Sequence, residues 1–122
     1  VSSATAVALE ALSTSMAVTS TDRSDIADII TAVEVVLTDS GYSLSADRRL
    51  ALAAHALAFS RRIRTGEQLP EIDLHDFPEI PEKTVDALRN ALNPYCATHD
   101  SELTDEEVLL FAMHVEIARI AP

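Results

Sequence analysis

The sequence predicts an all-α bundle of four or five principal helices, and three observations carry that expectation. The apolar residues, 48% of the 122, are mostly Ala, Leu, Val and Ile, while aromatic residues make up only 4%. Ala and Leu favour helices, and aromatic strand formers are scarce. Only two glycines occur, which leaves little material for the tight turns an all-β chain needs. Apolar residues also recur at three- and four-residue spacing in successive segments, the mark of helices with one buried stripe. The length fits one domain whose core buries roughly two-thirds of the unfolded surface.

Residues 1–20, rich in Ala, Ser and Thr, offer Val7, Ala8, Ala11 and Leu12 at helical spacing and nothing stronger, so they read as a weak helix or an arm before a domain spanning 21–122. Ile26, Ile29, Ile30, Val33 and Leu37 then define a helix over about 22–39, with Gly41 as its stop. Ser45 can cap the next helix, which carries Leu50, Leu52, Leu57 and Phe59 and ends near Gly66. Arg61, Arg62 and Arg64 near its C-terminal end suit the helix dipole. The acidic, proline-interrupted stretch from Gly66 to Pro81 reads as a loop, with Leu69, Ile72, Leu74 and Phe77 as anchors onto the core.

Pro81 fits the first turn of a helix bearing Val85, Leu88 and Leu92. Pro94 lacks an amide donor and is expected to end or kink that helix, leaving Tyr95 and Cys96 beyond the break. The last helix has the clearest start: Thr104 and Glu107 form a capping-box pair, Leu103 can staple onto Val108, and the helix is expected to run nearly to Pro122. No internal repeat is visible.

Twenty acidic against nine basic residues give a net charge of -11. A nucleic-acid binder needs cations to displace counterions from phosphates, so no direct nucleic-acid partner is expected. The single cysteine, Cys96, can form no intramolecular disulfide and belongs to no zinc-ligand spacing, which suits a reducing compartment. No apolar run is long enough to span a membrane, and Glu10 interrupts the place where a signal peptide would be apolar, so no membrane partner is expected. The chain thus reads as cytoplasmic, and its start at Val1 as that of a processed or trimmed chain.

Two of the four histidines sit in apolar company. His55 has Ala51, Leu52, Ala58 and Phe59 as helical neighbours, and His114 has Leu110, Phe111, Ile117 and Ala118. Burial against hydrocarbon favours neutral imidazole, whose lone pair can attack phosphorus or bind a metal. The alternative is two core histidines bonded to carbonyls or carboxylates. His75 and His99 lie beside Asp76 and Asp100 in polar surroundings and are assigned no role. A metal site would draw on His55, His114 and Glu106 or Glu107, yet no H-E-x-x-H or Cys/His spacing gathers them. With no Gly-x-Ser-x-Gly elbow, no activated cysteine and no glycine-rich phosphate cradle, no residue is assigned to catalysis or metal binding, no cofactor is expected, and the chain does not read as an enzyme.

The segment LALAAHALAFSRRIRTG, Leu50 to Gly66, resembles the first histidine motif of the phosphotransferase-system regulation domain (PRD) family. In that motif a His begins two apolar helical turns ending in Arg and then Gly, here His55, Phe59, Arg62 and Gly66. The segment LTDEEVLLFAMHVEIAR, Leu103 to Arg119, resembles the second motif, matched by Glu106 or Glu107, Phe111, His114 and Ala118. The histidines stand 59 residues apart, similar to the separation of the family's two motifs, and the resemblance covers roughly Thr21 to Arg119. It implies a PRD-like helical bundle in which His55 and His114 accept phosphoryl groups from the phosphocarrier protein of the sugar phosphotransferase system. Family members usually occur in tandem beside an RNA-binding antiterminator or DNA-binding activator module, and phosphorylation shifts their dimer packing. These residues include no such module, so the resemblance implies a stand-alone regulatory domain acting through protein contacts in transcriptional or carbohydrate-pathway regulation.

The switch has a physical logic of its own. A phosphoryl group adds about two negative charges beside apolar neighbours, which requires the helices to shift or arginines to pair with it. Arg62, seven residues past His55, lies along the same face; Arg61 and Arg119 are the other candidates. With several apolar stripes to cover in a short chain, a homodimer is expected.

Overall fold

The computed structural model describes residues 2–71 and 79–120. Among them are five helices and no strand: α1 (Ser3–Ser15), α2 (Ser20–Asp39), α3 (Ala46–Thr65), α4 (Glu82–Thr98) and α5 (Asp105–Ile120). The predicted all-α bundle is therefore observed. α2 packs on α3 and α4, α1 covers α3 and touches α2, and α5 closes against α4 and α3.

The N-terminal segment is a helix built into the core. Ser2 accepts a hydrogen bond from the Thr5 amide at its start. Thr5, Ala8, Leu9 and Leu12 are buried, an i, i+3, i+4, i+7 stripe rotated from the sequence reading, so that Val7 and Ala11 face outward. The stripe was hard to see because a threonine opens it. Thr5 is satisfied by giving its hydroxyl hydrogen to Glu34 of α2.

Local chemistry sets the helix ends. Thr19 and Asp22 cap α2 reciprocally, each side chain taking the other's amide hydrogen at 3.1 and 3.0 Å. At the other end Gly41 has φ 80°, and the Tyr42 amide returns to the Leu37 carbonyl at 2.8 Å, the Schellman stop that suits glycine. Ser45 caps α3 through the Arg48 amide at 3.2 Å, and Gly66, φ 79°, ends it. Leu69 is half-buried and Ile80 packs against the core; the other proposed anchors, Ile72, Leu74 and Phe77, lie outside the described residues.

Pro94 does not end α4. The helix continues to Thr98, so Tyr95 and Cys96 belong to it. Proline removes one helical bond, but Cys96 is 1% exposed on the same stripe as Leu88 and Leu92, both fully buried, and its burial favours the extra turn. That turn closes at Asp100, in the left-handed region at φ 56°, with the Ser101 amide bonded to the Cys96 carbonyl at 2.9 Å. Tyr95 lays its ring between Phe59 and His99, with centroids at 5.9 and 4.7 Å. Its hydroxyl is buried with no hydrogen-bond partner within 3.5 Å. Burial and the nearby Asp25 charge push that phenol's pKa well above its usual value.

Phe59 of α3 and Phe111 of α5, both 0% exposed, meet edge to face at 5.1 Å. Such a pair adds about 0.5–1.5 kcal/mol beyond the burial of its area. It also fixes how α3 lies on α5, and thereby what stands one turn away on each helix.

Candidate functional site

One turn from these phenylalanines, the two singled-out histidines come together. His55 of α3 and His114 of α5 stack with ring centroids 5.2 Å apart and planes at 29°. The Phe111 ring meets His55 at 4.3 Å and 67°. Both histidines are half-buried, and Nε2 of His55 is buried without a hydrogen-bond partner. Leaving such a group unpaired costs about 1–3 kcal/mol. This is not the fully bonded core histidine of the alternative reading.

The pair is held neutral. Burial, then the repulsion a second proton would meet from a protonated His114, then the Arg62 charge, lower the His55 pKa to about 3. Burial, then Arg48, lowers that of His114. The result is two unprotonated rings side by side, each keeping a nitrogen lone pair at neutral pH.

Arg62 alone of the three predicted phosphate-pairing arginines has its charge registered at this pair. Its Nε and Nη2 donate to the two oxygens of Glu107, each at 2.8 Å. Arg61 instead donates to Asp22 and to the Ala17 carbonyl, both at 2.8 Å. One residue turns a helix by about 100°, so Arg61 leaves the face that Arg62 shares with His55. Arg119 donates to Glu116 on its own helix at 3.0 Å; five residues past His114 place it about 140° around α5. Both guanidiniums are thus engaged elsewhere.

Two charged residues were missed, one acting on the pair and one that holds an arginine away from it. Arg48 acts electrostatically on His114; it precedes His55 by seven residues, as Arg62 follows by seven, and the symmetry of that spacing was the available signal. Asp22, 2% exposed, is the other. It accepts from Arg61 and Arg64 as well as from Thr19. Burial opposes its ionisation, but these bonds hold its carboxyl well below the usual range.

Glu107 is not a free carboxylate for a metal, since Arg62 occupies both oxygens. Among the described residues no group of three or more His, Cys, Asp or Glu side chains is placed to hold a metal ion. A cleft of about 880 Å³ lined by Val36, Tyr42, Lys83 and Ala91, and one of about 390 Å³ lined by Asp25, Tyr95 and His99, touch neither histidine of the pair. His75 lies outside the described residues. Besides Arg48 and Arg62, the helical neighbours of the pair are aliphatic: Ala51, Ala58 and Ile117 are exposed, and Ala54, Leu110 and Met113 are half-buried. No helix among the described residues is long and apolar enough to cross a membrane. No family model, curated protein or solved structure matches the chain.

Proposed function

We propose that this chain is a PRD-like regulatory module that accepts phosphoryl groups on His55 and His114 from a phosphohistidine donor, the phosphocarrier protein of the sugar phosphotransferase system. The observation supporting it most is the stacking of the two neutral imidazoles across α3 and α5. In the transfer, an acceptor lone pair forms the new N–P bond while the donor N–P bond breaks and its electron pair returns to the donor imidazole. The proton lost by the acceptor ring and the one gained by the donor ring exchange through solvent. Neutral acceptors are what this step needs. Because Nε2 of His55 is buried, transfer to that atom requires α3 and α5 to part, which couples the chemistry to helix movement. The aliphatic rim around the pair is the face through which a second copy would pack, making a homodimer that responds to phosphorylation. The output is control of protein association in transcriptional or carbohydrate-pathway regulation, in the cytoplasm.

The test is phosphoryl transfer from phosphoenolpyruvate through enzyme I and the phosphocarrier protein. An acid-labile, base-stable label is expected, reduced by His55→Ala or His114→Ala and retained in His75→Ala and His99→Ala. No label, in a tube where an established acceptor domain is labelled, would refute the proposal.

A further inference from the structure

The start of α5 is built with one bond missing. The Glu107 amide donates to the Thr104 hydroxyl at 3.4 Å, which is half of a capping box. The other half would be a bond from the Thr104 amide to the Glu107 carboxylate. Both of those oxygens accept from Arg62 of α3, which turns the Glu107 carboxylate toward α3, and the return bond that would finish the cap of α5 is not formed. Arg62 and Glu107 have side chains 17% and 4% exposed, so the pair is shielded from water and screened little by salt.

Arg62 also stands within electrostatic reach of His55. Seven residues separate them, about 10.5 Å along the helix axis. Helical side chains lean toward the N-terminus, so the Arg62 side chain reaches from its own turn back in the direction of His55. A guanidinium binds phosphoryl oxygens in the same forked geometry as a carboxylate.

Building on the phosphoacceptor reading, we infer that Arg62 is a latch with two alternative anions: Glu107 while His55 is neutral, and the phosphoryl group once His55 carries one. The dianion draws the guanidinium off Glu107. The released carboxylate turns to the Thr104 amide and completes the capping box, so it is not left buried and unpaired. α5 gains its own cap as it loses its tie to α3. Glu107 is therefore a positioning residue, holding Arg62 in reserve in the unmodified protein.

The test follows the Arg62 Nε–H resonance and the Thr104 amide exchange rate by NMR, in the full chain before and after phosphorylation and in His55→Glu, which supplies an anion without phosphoryl transfer. The expected result in both is a displaced Arg62 Nε–H signal and a Thr104 amide exchanging about tenfold more slowly. If His55→Glu does not fold, Ala58→Glu replaces it, placing a carboxylate on an exposed site four residues before Arg62. A labelled protein whose Arg62 signal and Thr104 exchange do not change overturns the latch and leaves the phosphoacceptor reading standing. An unlabelled protein whose Arg62 signal moves in the carboxylate variant removes the phosphoacceptor reading and the phosphoryl half of the latch with it, leaving only an Arg62 that exchanges one carboxylate for another. No label together with no movement removes both.

Discussion

At the scale of single residues, the proposed chemistry rests on a ring kept neutral at a cost. His55 titrates near 6.5 when unfolded and at about 3 when folded. Between those values the unfolded chain binds more protons, so stability falls as pH drops through that window and its contribution levels off below about 3. The loss is expected to be on the order of 3 kcal/mol between about pH 7 and pH 4. Urea unfolding across that range should show it, and His55→Leu should flatten the slope and also relieve the unpaired Nε2; an unchanged slope would show that His55 does not titrate this way. Asp22 loses its contribution at lower pH, as its carboxyl protonates, so Asp22→Asn should leave the upper window intact. The two histidines were legible in the sequence because apolar neighbours at three- and four-residue spacing placed each on or beside a buried stripe, and the structure finds them at its edge. Arg48 was signalled only by its seven-residue spacing from His55, and the arginine partners of Asp22 were not legible, because a charged residue's partner depends on which helices meet.

At the scale of elements, the sequence marked stops and starts well where one side chain decides them, as at Ser45, Gly41 and Gly66. It misjudged the two places where packing overrules local preference. The stripe of α1 uses a threonine, and the last turn of α4 persists past Pro94 because Cys96 is buried. An interior proline costs about 3 kcal/mol relative to alanine in a helix. Pro94 is exposed, so its replacement disturbs little packing. Pro94→Ala should therefore raise stability by about 1–3 kcal/mol, read from the urea midpoint at unchanged slope. A drop in stability would mean that the proline itself supports the turn.

At the scale of the whole molecule, the bundle is tied together by α1 as much as by any later helix. Leu12, 2% exposed, should cost about 2–5 kcal/mol when changed to alanine, whereas a dispensable arm would lose almost nothing; thermal unfolding distinguishes these outcomes. The fold class was readable from composition and periodicity, but the docking of α1 on α3 was not, since it rests on Thr5, Glu34 and Arg49 meeting from three helices. The proposed homodimer belongs to this scale too. Sedimentation at high micromolar concentration should show a dimer, and Ile117→Glu on the aliphatic rim should return it to monomer. A monomer at every concentration would remove that part of the proposal.

The setting of Tyr95 gives the molecule an optical gauge. The chain has two tyrosines and no tryptophan, so its tyrosine emission and phenolate absorbance come from Tyr42 and Tyr95 alone. The Tyr95 hydroxyl is buried on the side of α4 that faces Asp25 of α2 and resists ionisation. In an alkaline titration, phenolate appears at that position when α4 lifts from α2, and the absorbance change reports the breathing of that contact without any added label.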